Sequence, residues 1–269
     1  MEPLLRTVNI TKRFGGLVAV DKVSIDVGIG EVVGLVGDNG AGKSTLIKMI
    51  AGVYHPDGGE LYFKNQKVFF NTPREARDAG IETIYQDLAL AENLDVGSNI
   101  FLGREVKKKY LGNLIHTLNR RKMQDESADI LSKLDIIIPS LTQQIRNLSG
   151  GQRQAVAIAR SIYWNAQLMI MDEPTAALGV AEQHKVLTLV RTLRDQGVPV
   201  IIISHNMQDV FAVADRIVIL RRGKKVGELI AADTTPDEVV RLMVGAETVH
   251  EMGVIPKALN SESSTLSGT

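Results

Sequence analysis

The chain lacks cysteine, net charge and any long hydrophobic run, and each absence excludes a class of protein. Among its 269 residues, 31 Lys and Arg balance 31 Asp and Glu. Without cysteine there are no disulfides and no thiolate-bound metals, which agrees with a cytosolic protein. A zero net charge argues against a free-standing nucleic-acid binder, since those are usually basic. No segment approaches the roughly 18 apolar residues of a membrane helix, so any membrane role requires a partner.

Strand-like and helix-like segments alternate along most of the chain. Strands are predicted at 23–27, 31–37, 168–171 and 198–204, and a hairpin is predicted at 58–70. This alternation predicts an α/β fold with a mainly parallel sheet covered by helices.

Two segments depart from the alternation. Residues from about 90 to 147 show helical spacing and few strand signals, which predicts a helical insertion. The small polar residues within 247–269 predict a disordered tail.

A glycine-rich loop joins the strand at 31–37 to a predicted helix, and it fits the pattern G-x-x-x-x-G-K-[ST]. Such a loop turns its backbone N–H groups toward phosphate oxygens, and the helix N-terminus adds positive potential. Its lysine can reach the β- and γ-phosphates, and its serine hydroxyl can bind Mg²⁺. The alternative is a plain glycine-rich turn. The residues of this predicted phosphate loop are Gly37, Asp38, Asn39, Gly40, Ala41, Gly42, Lys43, Ser44 and Thr45.

Polar residues also follow three other predicted strands. Asp172 and Glu173 end an apolar run, where ligands of an open parallel sheet bind. Asp172 can hold Mg²⁺ and Glu173 can polarise an attacking water, although a solvated turn before Pro174 is the alternative. His205 follows the next strand and can contact a γ-phosphate. Gln86 can bind Mg²⁺ or the attacking water. For His205 and for Gln86 alike, the alternative is an ordinary polar loop residue.

A second glycine loop begins the helix at about 150–165. Ser149 and Gln152 have the spacing of a capping box. Gly150 and Gly151 do not suit a first helical turn, since each costs about 1 kcal/mol relative to alanine. Bare backbone at a helix start suits close approach to phosphate. Because the first loop already wraps its own phosphates, we expect this loop to bind a nucleotide held by a second chain.

Taken together, these motifs resemble the ATP-binding subunit of an ABC transporter over about residues 5–245. The resemblance identifies LSGGQ as the family signature, Gln86 as the Q-loop glutamine and His205 as the H-loop histidine. It adds Phe14, which would stack on adenine, and Val20 as ATP-binding residues. It implies a P-loop NTPase fold with a mainly parallel core, an antiparallel β subdomain and a helical subdomain at about 88–154, all within one domain over 1–246.

The resemblance also implies a mechanism and partners. Two copies would bind head to tail, each ATP lying between the phosphate loop of one copy and Ser149, Gly150, Gly151 and Gln152 of the other. Glu173, His205 and Gln86 would be catalytic, and Ser44, Gln86 and Asp172 would bind Mg²⁺. Membrane permease subunits would convert hydrolysis into transport, supplied by an extracellular or periplasmic solute-binding protein. The chain would act at the cytoplasmic face of the plasma membrane.

A finer similarity points to importers of ribose, xylose or fructose. It rests on three segments, NIFLGRE (99–105), DEPTAALGV (172–180) and VVRLMVGA (239–246). Such ATPases are often two fused copies, so the single copy here implies a homodimer. Gly179 departs from the aspartate usual in the family's D-loop, which puts the communication across the dimer in question.

Three other functions are weighed against this hypothesis. Importers of a different solute share the same motifs. ABC ATPases that act on DNA or ribosomes usually carry long coiled coils or paired ATPase domains, which are absent here. The basic runs at 107–109 and 119–122 are more typical of solvated helix faces than of a nucleic-acid track. An unrelated P-loop kinase or GTPase leaves LSGGQ and His205 unexplained.

Overall fold

The computed structural model describes residues 2–110 and 115–245, and the tail predicted to be disordered lies outside them. In the described residues, the strands are Leu5–Phe14 (β1), Leu17–Val23 (β2), Asp26–Val27 (β3), Val32–Val36 (β4), Gly58–Phe63 (β5), Gln66–Val68 (β6), Ile81–Ile84 (β7), Lys107–Tyr110 (β8), Ile115–Leu118 (β9), Leu168–Asp172 (β10), Val200–Ile203 (β11), Arg216–Arg221 (β12) and Lys224–Ile230 (β13).

The helices of the same residues are Lys43–Ile50 (α1), Pro73–Ala79 (α2), Val96–Ile100 (α3), Arg120–Lys133 (α4), Gly150–Tyr163 (α5), Val180–Asp195 (α6), Met207–Val213 (α7) and Pro236–Val244 (α8). None of these described helices has the length and apolarity needed to cross a membrane.

The central sheet has the strand order β13-β12-β4-β11-β10-β7. Its pairs are parallel except for β12 with β13. Every residue of β4 and β11 is buried. Ile201 and Ile203 pack into the apolar core on one face, and Val200 and Ile202 pack into the core on the other. Burial on both faces explains the continuous apolar runs in the sequence, and it confirms the predicted α/β fold.

The strand order brings the predicted site residues together at the C-terminal ends of four neighbouring strands. β10 pairs with β11 so that Asp172 lies opposite Ile203, which confirms that the segments leading into Glu173 and His205 are neighbours. β4 lies on the other side of β11, and β7 lies on the other side of β10. The phosphate loop after β4 and Gln86 after β7 therefore flank the two central strand ends.

A second sheet is antiparallel, with the order β2-β1-β5-β6 and with β3 beside β1. The predicted hairpin is confirmed as β5 and β6. Its turn residues Lys64 and Asn65 have φ of 53° and 59°, the left-handed conformation that matches the twist of a tight hairpin. The single strand predicted at 23–27 is instead divided, because β2 ends at Val23 and β3 begins at Asp26.

The insertion between β7 and α5 contains α3 and α4, as predicted, but also the hairpin of β8 and β9. The sequence prediction missed this hairpin because Lys107 and Lys108 are both exposed, so the segment lacks the apolar alternation of a half-buried strand. A bond from Asn119 N–H to the Val106 carbonyl closes its base at 2.7 Å.

Candidate nucleotide site

The phosphate loop requires glycine at two positions for space as well as conformation. Gly37 and Gly42 have φ of 151° and 103°. A Cβ at Gly37 would lie 2.2 Å from the Leu220 carbonyl oxygen, and one at Gly42 would lie 2.5 Å from the Ala19 carbonyl oxygen. Helix α1 then begins with no side-chain cap. Its first N–H groups are therefore left for an anion.

Lys43 folds back onto its own loop. Its Nζ donates to the carbonyl oxygens of Gly37 at 2.5 Å and Asp38 at 3.0 Å. Burial lowers the pKa of Lys43, while the carboxylates of Glu173, Asp172 and Asp38 act in the opposite direction. The ammonium is thus held by carbonyl oxygens that phosphate oxygens can replace.

Glu173 and His205 are in direct contact. The His205 backbone N–H donates to Glu173 Oε1 at 3.1 Å, and His205 Nδ1 lies 2.8 Å from Glu173 Oε2. Glu173 has a φ of 51°, and its N–H donates to the Ile203 carbonyl, which ties the residue to the neighbouring strand. Left-handed backbone at a non-glycine residue is disfavoured and is often found at functional sites. Through these two contacts, His205 binds both carboxylate oxygens of Glu173.

Asp172 lies beside these groups and carries a shifted pKa. Burial and the Glu173 carboxylate raise the pKa of Asp172, while Lys43 and Lys48 lower it. The half-buried carboxylates of Asp172 and Glu173 repel each other, and this repulsion favours binding of a cation between them.

One cleft of about 780 Å³ joins most of the predicted residues. It brings together the greater part of the phosphate loop with Phe14, Gln86, Asp172, Glu173 and His205. Ser44, Gln86 and Asp172 all present oxygen ligands to this cleft, and Mg²⁺ prefers oxygen ligands together with substrate phosphates. The donor set therefore fits the ion.

Some residues differ from the prediction. Val20, expected to bind ATP, is fully buried in the core and does not line the cleft. Gly37 and Asp38 also lie outside the lining: Gly37 is buried, whereas Asp38 is exposed and its carbonyl oxygen accepts from Lys43 Nζ.

Sequence reasoning missed Arg222, which lines the cleft from the turn between β12 and β13. That turn is held against the phosphate loop, since Gly223 N–H donates to the Ala41 carbonyl at 3.0 Å. No local pattern signals this long-range contact, so the sequence offered nothing to find Arg222.

The second glycine loop caps its helix as predicted. Ser149 N–H donates to Gln152 Oε1 at 3.0 Å, and Gln152 N–H donates to Ser149 Oγ at 3.3 Å. The glycines, however, also have a reason within the chain. A Cβ at Gly150 would lie 2.6 Å from Leu178 Cδ2, and one at Gly151 would lie 3.1 Å from Glu182 Cβ. Close packing against Glu182 of α6 and against Leu178 just before it is therefore a reason for the two glycines within the chain, and the expected approach of a partner's phosphate stays a prediction.

An internal carboxylate already neighbours this loop. The nearby Ser149 hydroxyl and the backbone N–H groups of Gly151 and Gly179 lower the pKa of the Glu182 carboxyl group. Gln86, Gly150 and Glu173 line a second cleft of about 280 Å³. This cleft lies between the nucleotide cleft and the second glycine loop, the signature loop of residues 149–152.

Comparisons with known proteins agree with this arrangement. A family model described as ABC transporter matches residues 20–176. A xylose/arabinose import ATP-binding protein of Sulfolobus acidocaldarius is 50% identical over 90% of this chain and 94% of its own length. A fructose import ATP-binding protein of Rhizobium meliloti is 44% identical over 91% of this chain and 95% of its own length. A ribose import ATP-binding protein of Streptomyces avermitilis is 41% identical over 91% of this chain but only 45% of its own length.

Solved structures give the same result. A nucleotide-free ATP-binding cassette from an ABC transporter superposes with a TM-score of 0.76, at 29% identity, covering 89% of this chain and 98% of that one. A dimeric cassette bound to ADP and phosphate after hydrolysis superposes with a TM-score of 0.70, at 25% identity, covering 84% of this chain and 98% of that one.

Proposed function

The chain belongs to the ABC transporter family, and on that premise we propose that it is the ATP-hydrolysing subunit that powers import of a monosaccharide. The observation that carries the proposal is the single cleft that holds Lys43, Glu173 and His205 together. ATP hydrolysis needs a cation that binds the phosphates, a base for the attacking water and a group that contacts the γ-phosphate. Lys43, Glu173 and His205 can supply these three functions in one cleft. The xylose/arabinose and fructose import relatives support a sugar as the transported solute.

In this proposal ATP places its β- and γ-phosphates on the N–H groups of the phosphate loop and on Lys43. Phe14, which is 43% exposed at the rim of the cleft, stacks on the adenine ring. Mg²⁺ held by Ser44, Gln86 and Asp172 would neutralise charge on the β- and γ-phosphate oxygens.

Glu173 acts as the general base for the attacking water, and His205 contacts the γ-phosphate. Before ATP binds, His205 occupies both carboxylate oxygens of Glu173. A γ-phosphate gives His205 a second anion to bind, which frees Glu173 to accept a proton from water. In this proposal the contact with His205 keeps Glu173 from acting as a base until ATP is bound.

The working unit in this proposal is a head-to-tail pair docked on membrane permease subunits. Ser149, Gly150, Gly151 and Gln152 of one copy then approach the ATP held by the other. Such a pair would lie at the cytoplasmic face of the membrane and receive sugar from a solute-binding protein outside. The dimeric cassette that superposes on this chain supports the pairing.

Replacement of the proposed base tests the mechanism. Glu173→Gln keeps the size of the side chain but removes the base, so we expect ATP turnover to fall by about 100-fold or more. The variant should bind ATP and accumulate as a dimer, measured by analytical ultracentrifugation with saturating ATP and Mg²⁺. The double variant with Lys43→Ala is the control and should stay monomeric. A Glu173→Gln protein that stays monomeric with saturating ATP contradicts the proposal.

A further inference from the structure

The side chain of Glu182 lies where two helices begin. Glu182 is in the first turn of α6, three residues after Gly179, which precedes this helix. A Cβ at Gly150 would lie 3.7 Å from Glu182 Oε2, and a Cβ at Gly151 would lie 3.4 Å from Glu182 Cγ. The side chain of Glu182 therefore reaches from the start of α6 to the start of α5.

The two helix starts have few anions of their own. In these two described helices, α5 has no acidic residue in its first turn, and α6 has Glu182 there. Gly179 provides no side-chain cap for α6, although its φ of −69° and the open space around an added Cβ would accept another residue. Backbone N–H groups at a helix start favour a negative charge. Glu182 is thus placed to serve both helix starts.

The groups around the Glu182 carboxylate belong to the signature loop and to the start of α6. The Ser149 hydroxyl and the backbone N–H groups of Gly151 and Gly179 lie around it and lower its pKa, which keeps it ionised at neutral pH. Ser149 and Gly151 are also residues that the proposed function places against the γ-phosphate of the partner's ATP. An anion of the same chain therefore lies where the proposed function puts a second one.

We propose that Glu182 is a positioning residue that holds the signature loop until the γ-phosphate of the partner's ATP replaces its carboxylate. The proposal deepens the proposed function and rests on it, because it takes Ser149 and Gly151 to contact ATP held by a second copy. Two anions at one helix start repel each other, so the carboxylate has to leave when the γ-phosphate arrives. Closure of the dimer therefore includes the free-energy cost of displacing Glu182.

Lys185 gives the displaced carboxylate a new partner. It follows Glu182 by three residues on α6, a spacing at which side chains of a helix meet. Lys185 is exposed, and its positive charge adds to the groups that lower the pKa of Glu182. Rotation of the Glu182 side chain away from Gly151 brings it into water beside this lysine. The exchange thus needs a side-chain rotation and no change in either helix.

Glu182→Gln tests the exchange, because glutamine keeps the size of the side chain and removes its charge. In the Glu173→Gln background, we expect the ATP concentration for half-maximal dimerisation to fall about fivefold, the effect of one charge at a helix N-terminus. Analytical ultracentrifugation over an ATP titration measures the change. Glu182→Ala should produce the same fall, because it removes the same charge without adding an amide. Binding of a fluorescent ATP analogue to the monomer should change by less than about twofold.

Glu238→Gln is the matched control. Glu238 is also the third residue of its helix, α8, and its Oε2 accepts from the Thr234 hydroxyl at 2.6 Å. Helix α8 packs against β12, β13 and α7, whereas the signature loop begins α5, which packs against α6. The control removes a first-turn charge of the same kind and should leave the ATP dependence of dimerisation unchanged. Equal effects of Glu238→Gln and Glu182→Gln would reflect net charge alone and overturn the proposal.

A purely structural role for Glu182 predicts the opposite result. If the carboxylate only stabilises the two helix starts, its removal raises the ATP concentration needed for dimerisation. Displacement by the γ-phosphate predicts a lower ATP requirement, even where loss of the carboxylate lowers the unfolding temperature. With Glu173 intact, KM for ATP should fall in Glu182→Gln while kcat stays near the wild-type value. An unchanged or raised ATP requirement in both Glu182 variants overturns the proposal.

These outcomes are distinct from failure of the proposed function. If Glu173→Gln with Glu182 intact does not dimerise with ATP, the proposed function fails first. If it dimerises and Glu182→Gln leaves the ATP requirement unchanged, only the role of Glu182 fails.

Discussion

At the scale of single residues, the charged groups of the cleft are held by contacts within the chain. Lys43 donates to two carbonyl oxygens of its own loop, and Glu173 is held by His205. In the proposed function, the oxygens of a γ-phosphate would compete with both contacts, for Lys43 and for His205. We therefore expect ATP to exchange existing contacts of Lys43 and His205 instead of ordering a loose loop.

Lys43→Ala should weaken ATP binding because the phosphates lose a charged hydrogen-bond donor. Such a bond is worth about 1.5–3 kcal/mol, which corresponds to a loss of affinity of about 10- to 100-fold. Titration with a fluorescent ATP analogue measures the change. Lys48→Ala, one turn further along α1 and outside the cleft, is the matched control. Unchanged affinity in Lys43→Ala would count against the phosphate loop.

At the scale of elements, the start of α5 serves two packing demands at once. Its capping box provides hydrogen-bond acceptors for backbone N–H groups at the helix start. Gly150 and Gly151 leave room for the side chains of Leu178 and Glu182. The glycines thus have one reason inside the chain and a second, proposed reason in the partner's phosphate. A larger side chain at Gly150 or Gly151 would disturb the packing within the chain and also the proposed approach of the partner's phosphate. An experiment therefore has to separate the two effects.

A double-mutant cycle separates them. Gly150→Ala should impair ATP-driven dimerisation in the Glu173→Gln background, because its Cβ fills space proposed for the partner's phosphate and also lies 2.6 Å from Leu178 Cδ2. Leu178→Ala removes that contact within the chain. If bare backbone is needed for the partner's phosphate, the double variant still dimerises poorly while its thermal stability recovers. Full recovery of dimerisation would mean that packing against α6 alone requires the glycine.

At the scale of the whole molecule, the nucleotide cleft and the signature loop lie on either side of a smaller cleft in the same chain. Gln86 and Glu173 line both the nucleotide cleft and the smaller cleft beside Gly150. The proposed pair joins each nucleotide cleft to the signature loop of the other copy. Interaction between two identical copies related by a twofold axis produces two equivalent sites.

Complementation between two inactive variants tests this arrangement. Ser149→Asp keeps a good helix cap but adds a negative charge where the partner's γ-phosphate is expected. Lys43→Ala and Ser149→Asp should each be inactive as homodimers. A mixture should recover about a quarter of wild-type ATPase activity, since half the pairs are mixed and each mixed pair has one intact site. Ser149→Asn is the neutral cap control, and no recovery in the mixture contradicts the head-to-tail pair.

Much of the fold and the site could be predicted because the signals are local. The phosphate loop is a continuous segment, and its glycines, lysine and serine mark it without any knowledge of the rest of the chain. The buried strands are marked by their apolar runs, and the capping box is marked by Ser149 and Gln152. The hairpin of β8 and β9 could not be predicted, because its exposed lysines give no periodic signal.

The sequence by itself determined the chemistry of the parts, namely a phosphate loop, an acidic pair after a buried strand and a capped glycine loop. Only the tertiary structure decided how they meet. The order of β4, β11, β10 and β7 gathers Lys43, His205, Glu173 and Gln86 at one sheet edge. It also buries Val20 and brings Arg222 to the cleft. Strand order and helix packing depend on contacts between residues far apart in the chain, and local patterns do not encode these.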